Sequence, residues 1–200
     1  MTPGSNRFAV DDLIGSAHIF AHSWLDFLEK RLLQETVGSC LNVSQLRLLK
    51  LVAITESHTI GDVAAFLGVS DAAASKTVDK MVRRRLLRRM EGATDRRVVE
   101  LFLTKTGERW LGAYETAKSR RLTEILREVS AEELEMTAGV LDRLSIAIVN
   151  PAAKAGEICV QCGIHFREEC PLRKVLPRTC FYEAHRAHKE AARPPLPESA

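Results

Sequence analysis

The stretch TIGDVAAFLGVSDAAASKTVDKMVRRRLLRRM, residues 59–90, decides the fold. Thr59 stands before a short apolar run and predicts the N-cap of one helix, and Gly68 tolerates the positive φ that a tight turn requires. Ser70 predicts the N-cap of a second helix that runs to about residue 87. Two helices of this length joined by LGVS predict a helix-turn-helix.

The second of these helices has an apolar face and a polar face. A DNA major groove admits one helix, and small side chains let the backbone of that helix approach the base edges. Hydroxyls and cations near the start of such a helix suit contacts with phosphates and bases. The candidate DNA-contacting residues of this helix are Ser70, Ala72, Ala73, Ser75, Lys76, Lys80 and Arg83.

The positive charge of the chain is concentrated in and after this helix. The formal net charge is only +3, but residues 76–97 hold nine basic and three acidic residues, so this window carries +6 and the remainder −3. Such a concentration is expected of a surface that meets a polyanion, although a solvated helix face can have the same charge. The position of the window in the fold must decide between these interpretations.

The residues after the second helix predict a hairpin and then two long helices. LLRRM and VVELFLT flank the glycine-containing connection EGATDRR, which favours two antiparallel strands that form a wing. Thr104 begins the next helix, and SAEE at residues 130–133 has capping-box spacing for the last one. Before the helix-turn-helix, apolar residues recur at helical spacing over residues 8–34 and predict one long amphipathic helix.

The order of these elements, with the sequences TIGDVAAFLGVSDAAASKTVDKMVRRRLLRR, EGATDRRVVELFLT and TKTGERWL, resembles the MarR family of bacterial transcription regulators over residues 13–148. The resemblance implies a mainly α fold, a winged helix-turn-helix with a two-stranded β wing and long N- and C-terminal dimerisation helices. It also implies that Asp95 orients a wing arginine, Arg96 or Arg97, in the minor groove. We therefore expect a sequence-specific repressor that binds a palindromic double-stranded DNA operator as a homodimer.

Composition and missing signatures narrow the function class. With 46% hydrophobic and 28% charged residues, the chain has the composition of an ordinary globular protein. The sequence lacks both a signal-peptide pattern and an apolar stretch of membrane-spanning length, so we expect no membrane partner and a cytoplasmic location. It also lacks a phosphate-binding glycine loop, a nucleophile elbow and a convincing carboxylate pair, so we expect no enzymatic activity.

Four of the five cysteines fall within CVQCGIHFREECPLRKVLPRTC, residues 159–180. A MarR-like chain typically stops near residue 150, so the resemblance does not explain this segment. In a reducing compartment, clustered thiols indicate a metal centre rather than structural disulfides. The irregular C-x2-C-x7-C-x9-C spacing, with Pro171 after the third cysteine, favours a 4Fe–4S cluster, and a single zinc ion is the alternative because CVQCG resembles a zinc knuckle. The candidate ligands are Cys159, Cys162, Cys170 and Cys180.

These features predict three parts: a winged-helix DNA-binding and dimerisation domain over residues 1–150, a cysteine-rich metal-binding extension over residues 151–190, and a disordered tail over residues 191–200. In one hypothesis an iron–sulfur centre senses redox state or iron and changes DNA binding. In the other, zinc only staples the extension, and a small molecule in the cleft between the helices is the effector. We expect His165 to donate a hydrogen bond beside the metal, and Cys40 to be a small buried residue.

Overall fold

The computed structural model describes residues 3–54, 59–91, 99–149, 158–159, 165, 167–175, 177 and 179–183. Its helices are α1 (Pro3–His22), α2 (Leu32–Val37), α3 (Val43–Ile54), α4 (Ile60–Leu67), α5 (Asp71–Arg83), α6 (Lys105–Ile125), α7 (Ala131–Val149) and α8 (Pro171–Val175). Its strands are β1 (Leu87–Glu91), β2 (Val99–Leu103), β3 (Ile158–Cys159) and β4 (Thr179–Cys180). The described residues are therefore mainly helical, as predicted.

The first helical stretch, residues 3–37, contains the long helix predicted over residues 8–34. The number of residues per helical turn changes midway along it. Between α1 and α2 the chain is π-helical over Ser23–Arg31. The backbone hydrogen bonds of a π-helix join residues five apart, so such residues lie nearer to the same side of the axis than they do in an α-helix. Trp24 Nε1 accordingly donates a hydrogen bond to Glu29 Oε1 at 3.1 Å. The π-helical stretch therefore places an aromatic ring and a carboxylate on the same side of the helix.

Helices α4 and α5 form the predicted helix-turn-helix, and local hydrogen bonds fix their ends. Thr59 caps α4 in a capping box, in which Asp62 N donates to Thr59 Oγ1 at 3.2 Å and Thr59 N donates to Asp62 Oδ2 at 2.8 Å. Gly68 follows α4 in the left-handed region with a φ of 67°. Ser70 Oγ accepts a hydrogen bond from Ala73 N at 3.4 Å. All three predicted boundary residues are confirmed.

Helix α5 ends at Arg83 rather than near residue 87, because the chain turns immediately after it. Arg85 N donates to Val82 O at 2.9 Å, and Leu86 N donates to Met81 O at 3.0 Å. Arg85 has a φ of 56°, a left-handed conformation that costs a non-glycine residue roughly 1–2 kcal/mol. Because the helix ends at this turn, the first strand of the wing begins at Leu87.

The wing is the predicted pair of antiparallel strands. In its register, Leu87 of β1 lies opposite Leu103 of β2, and Glu91 lies opposite Val99. The connection over residues 92–98 lies outside the described residues.

Helix α6 begins against the turn that ends α5. Thr104 caps the helix by accepting from Gly107 N at 3.1 Å, and Thr104 N donates to Leu86 O at 3.1 Å. A Cβ on Gly107 would lie 2.2 Å from Leu86 O, so only glycine permits this approach. The junction thus ties α6 directly to the end of the helix-turn-helix.

The core joins the helix-turn-helix, the wing, α3 and α6, and it also includes residues of the cysteine-rich extension. Helix α7, in contrast, has no residue classed as buried. The largest fully buried side chains include Tyr114, Tyr182, Phe66, Phe181, Leu33, Leu46 and Met81.

Among the described residues no single helix is long and apolar enough to cross a membrane. One pair, Val10–Cys40 with Val43–Ile54, has the length and composition of a membrane span only when the two are taken together across an 89° bend.

Candidate nucleic-acid interface and cysteine segment

Helix α5 buries one face and presents the other to solvent. Ala74, Val78 and Met81 are completely buried against the core. The predicted contact residues lie on the remaining surface: Ala73 and Ser75 are half-buried, and the exposed members are Ser70, Ala72, Lys76, Lys80 and Arg83. A row of cations therefore follows the small residues of the first turn along the outward side of the helix.

The first strand of the wing carries two further arginines, Arg88 and Arg89. Arg89 Nη2 lies 2.7 Å from Asp79 Oδ1 of α5, which ties the strand to the helix by an ion pair. The guanidinium of Arg88 lies 4.9 Å from the centre of the Phe102 ring on β2. The first contact places one wing cation, Arg89, beside α5, and the second holds Arg88 against the other strand of the wing.

The predicted wing contacts, Asp95, Arg96 and Arg97, belong to the connection outside the described residues. The two strands that carry this connection are in place, but the roles given to the three residues stay predictions.

Cys40 is exposed, so the expectation of a buried residue was wrong. It belongs to a short 3-10 turn, Gly38–Cys40, that precedes α3 at the surface. Cations absent from its neighbourhood in the sequence approach it in space, since Lys30, Lys80 and Arg84 line the same cleft of about 460 Å3. The Arg84 guanidinium also donates a hydrogen bond to Cys40 O.

The cysteine segment brings together two of the four candidate metal ligands along the backbone. Strands β3 and β4 are parallel, and their register pairs Cys159 with Cys180. Cys170 and Cys180 are free thiols, half-buried and buried respectively. The described residues contain no group of three His, Cys, Asp or Glu side chains able to hold a metal ion, but Cys162 and the side chain of Cys159 lie outside those residues.

The end of the cysteine segment enters the core. Phe181 and Tyr182 directly follow Cys180 and are completely buried. Their ring centres lie 5.4 and 5.9 Å from that of Phe66 on α4. These two aromatic residues of the cysteine segment therefore belong to the main core of the protein.

His165, which lies between Cys162 and Cys170 in the sequence, is bound by the helical domain. Its Nδ1 accepts from Lys118 Nζ at 2.8 Å, and its Nε2 donates to Glu29 Oε1 at 2.8 Å. An ammonium only donates and a carboxylate only accepts, so these bonds select the tautomer with the proton on Nε2. The imidazole also meets the Trp24 ring edge-on, with the ring centres 6.2 Å apart. Both ring nitrogens are thus engaged with protein groups.

Burial and these contacts shift the titration of the groups around His165. Burial raises the pKa of Glu29, but hydrogen bonds from His165 and Trp24, together with the charge of Lys118, outweigh it and bring that pKa below its ordinary value. Burial, followed by repulsion from Lys50, lowers the pKa of Lys118. Burial also raises the pKa of Tyr114, whose buried hydroxyl has no hydrogen-bond partner among the described residues. Glu29, Lys118 and His165 thus form a largely buried charged cluster next to the apolar core.

The helix-turn-helix and its wing have a recognisable counterpart among known proteins. Residues 41–98 match the family model of the MarR family. This range begins just before α3 and reaches the connection of the wing, so it contains the MarR-type helix-turn-helix but not the cysteine segment.

Solved structures of MarR-type proteins share the fold over most of this chain. A MarR family transcription regulator aligns with a TM-score of 0.64 at 18% identity, covering 74% of this chain and 97% of its own. FabT from Streptococcus pneumoniae, solved in complex with DNA, aligns with a TM-score of 0.58 at 19% identity, covering 71% of this chain and 96% of its own. A MarR family protein from Bacillus stearothermophilus aligns with a TM-score of 0.58 at 19% identity, covering 70% of this chain and 97% of its own. The fold is therefore a MarR-type winged helix.

Sequence reasoning missed the charged cluster that joins the MarR-type domain to the cysteine segment. Glu29 and Lys118 are 5% and 6% exposed, although both stand in helices whose sequences have many charged residues. The one signal in the sequence was that Glu29 directly follows Leu28, a residue of the apolar face of the first helical stretch. The partner of that glutamate lies far along the chain, and no local pattern identifies it.

Proposed function

We propose that this chain is a homodimeric, sequence-specific DNA-binding transcription regulator of the MarR type that acts as a repressor. The observation that carries the proposal is the exposed, cationic face of α5. This face stands on a helix-turn-helix with capped ends, next to an antiparallel wing whose first strand adds further arginines. Cations on a protruding helix are placed to neutralise phosphates, which is the main source of affinity for DNA.

In this proposal, α5 enters the major groove and the wing reaches the minor groove. The small Ala72 at the start of α5 lets the backbone come close to the bases, while Lys76 and Lys80 meet phosphates. Arg96 or Arg97, oriented by Asp95, is the minor-groove contact. The similarity in fold to FabT, which was solved in complex with DNA, supports this docking.

The homodimer is supported by apolar residues that the single chain leaves in solvent. Ile148 of α7 is 77% exposed and Phe27 of the first helical stretch is 61% exposed, and burial of such side chains against a second copy is favourable. A two-fold dimer would present two copies of α5 to the half-sites of a palindromic operator. Other exposed apolar residues of the same helices are Val10, Leu13, Ile14, Phe20, Leu134, Leu141 and Leu144.

The DNA-binding proposal is tested with a duplex that the wild-type protein selects from a random library. Lys76→Ala and Lys80→Ala should each weaken binding, and each should reduce the slope of log affinity against log salt by about 0.9, because each removes one phosphate contact. Arg127→Ala, a cation in the turn after α6, is the matched control. Unchanged affinity and slope in both α5 variants would contradict the proposal, and light scattering that gives the mass of one chain would contradict the dimer.

We further propose that Cys159, Cys162, Cys170 and Cys180 hold a metal centre, and we favour a 4Fe–4S cluster. Supporting features are the register pairing of Cys159 with Cys180 and the free thiols of Cys170 and Cys180. A bound cluster would supply a one-electron redox centre whose charge and stability depend on oxidation and on iron. The chain would contribute four thiolates, the packing around the buried Cys180, and the contacts of Phe181 and Tyr182 with the core.

The alternative is one structural zinc ion, with a small molecule as the effector. A cleft of about 580 Å3 between the first helical stretch and α6 favours this alternative. Its lining includes Arg120 and the ion pairs Arg31–Glu35 and Arg121–Glu124, so the cleft suits a small polar ligand. In this case the metal would only stabilise the segment.

Metal and sulfide content, measured on protein purified without oxygen, separates the two proposals. Iron with a nearly equal amount of inorganic sulfide supports the cluster, and one zinc per chain without sulfide supports the alternative. Cys170→Ser should lower the metal content, whereas Cys40→Ser, which changes the exposed cysteine outside the segment, should leave it unchanged. Protein that holds neither metal under these conditions would contradict both proposals.

A further inference from the structure

We propose that Phe181 and Tyr182 are positioning residues for the helix-turn-helix, because they fasten the cysteine segment to α4 and so determine where α4 lies. The structural part of this inference stands on contacts alone. Its consequence for DNA binding rests on the proposed function.

The contacts centre on Phe66, the large aromatic residue of α4. Its ring centre lies 5.4 Å from Phe181 and 5.9 Å from Tyr182, and all three side chains are buried. The Arg47 guanidinium of α3 lies 5.4 Å from the same ring. Aromatic residues each bury roughly 150–250 Å2, so two such rings form a large part of the packing around one short helix.

Helix α4 depends on this packing because it is short. It spans eight residues, Ile60–Leu67, and isolated helices shorter than ~12–15 residues are marginal in water. Its capping box and the turn at Gly68 fix its ends locally but do not set its position in the molecule. That position comes from its buried residues, among which Phe66 is the largest.

A shift of α4 reaches α5 through the tight turn between them. Val69 N donates to Ala64 O at 3.0 Å, and Ser70 caps α5 directly afterwards. Because α4 also packs against α5, displacement of Phe66 changes the position of α5, the helix that carries Lys76 and Lys80. Residues far from the proposed DNA surface thereby influence its geometry.

The same pair connects α4 to the cysteines. Cys180 immediately precedes Phe181, is itself buried, and pairs in register with Cys159. The position of β4 is therefore shared between the cysteine segment and the core. Whatever orders β4 also orders the two rings against Phe66, and the coupling acts equally in the reverse direction.

Hydrogen exchange on the full chain tests the inference. In Phe181→Ala, amide exchange in α4 should accelerate by on the order of tenfold more than in α7. Leu33→Ala is the matched control, because Leu33 is equally buried in the core but belongs to α2. Leu33→Ala should accelerate amide exchange, but no more in α4 than in α7. Phe181→Leu, which keeps an apolar side chain, should fold readily and give α4 exchange between those of wild type and Phe181→Ala.

DNA affinity provides the second measurement, with the duplex selected by wild type. Phe181→Ala should bind roughly tenfold more weakly than Leu33→Ala at a temperature where both variants are folded. If α4 exchange rises no more in the two Phe181 variants than in the control, the inference is overturned. If wild type binds no DNA, the proposed function fails instead, and α4 exchange still decides whether Phe181 positions that helix.

Discussion

His165 Nε2 lies 2.8 Å from Glu29 Oε1, and this hydrogen bond joins the cysteine segment to the first helical stretch of the protein. The second ring nitrogen of His165 accepts from Lys118 of α6, so one imidazole bridges two helices. A buried carboxylate and a buried ammonium thus share a partner that comes from outside the helical domain. The cluster makes the helical domain depend on the segment.

Removal of His165 should therefore destabilise the whole protein. In His165→Ala, the buried Glu29 and Lys118 each lose a hydrogen bond, and we expect the free energy of unfolding to fall by about 1–3 kcal/mol. Urea denaturation followed by circular dichroism measures this change. Glu35→Gln is the control, because Glu35 pairs with Arg31 on the exposed surface of the same helical stretch and should change stability very little. Equal effects of the two substitutions would contradict a buried role for His165.

Glu29 should also make stability depend on pH in the acid range. Its pKa in the folded protein lies below the ordinary value of 4.5, so its ionised form stabilises the fold. A carboxyl of this kind contributes fully above its unfolded pKa, and the contribution is lost as pH falls through the folded pKa. The difference in Tm between wild type and Glu29→Gln should be largest above pH 4.5 and shrink below it. A difference that stays constant across this range would refute the prediction.

Gly107 should be among the least replaceable residues of α6. In Gly107→Ala the new methyl group would lie 2.2 Å from Leu86 O, so the junction between α6 and the end of the helix-turn-helix must open. We expect a loss of about 1–3 kcal/mol in unfolding free energy. Gly112→Ala tests the same substitution in the same helix, where no atom of the described residues lies within 4 Å of the added Cβ, and it should stabilise the protein by up to about 1 kcal/mol. A similar loss in both variants would show that the close approach is unimportant.

Removal of the proposed metal should loosen α4 more than α7. A metal that orders Cys180 would also hold Phe181 against Phe66, because Phe181 directly follows Cys180 in the chain. Hydrogen exchange on metal-loaded and chelator-treated protein, with metal content measured on the same samples, checks this coupling. Identical α4 exchange in samples that differ in metal content would show that the site and the helix-turn-helix are independent.

The sequence predicted those features that short-range interactions determine. Thr59, Gly68 and Ser70 mark helix ends because each acts on backbone groups within a few residues. Thr104 and Ser130 were predicted on the same grounds, and both caps are present. The pairing of β1 with β2 also follows from neighbouring stretches of chain.

Features that depend on distant contacts could not be predicted in this way. The burial of Phe181 and Tyr182 against Phe66 joins residues more than a hundred positions apart, and no local pattern in the sequence indicates such a contact. The turn at Arg85 was missed because its positive φ occurs at a residue type that gives no signal for it. Cys40 was predicted to be buried but is exposed, because it lies in a surface turn before α3 whose place in the fold is set by distant packing.

The π-helical stretch Ser23–Arg31 has a consequence for how the protein tolerates insertions and deletions. A π-helix has more residues in each turn than an α-helix, in which successive residues are rotated by about 100°. Deletion of one residue from this stretch would let it revert towards α-helical winding and would rotate α1 about its own axis relative to Leu28 and Leu33. Phe20 and Ile14 would then face a new direction. The direction in which the exposed side chains of α1 face the proposed partner is thus set by these nine residues, one of which, Phe27, belongs to the same proposed contact.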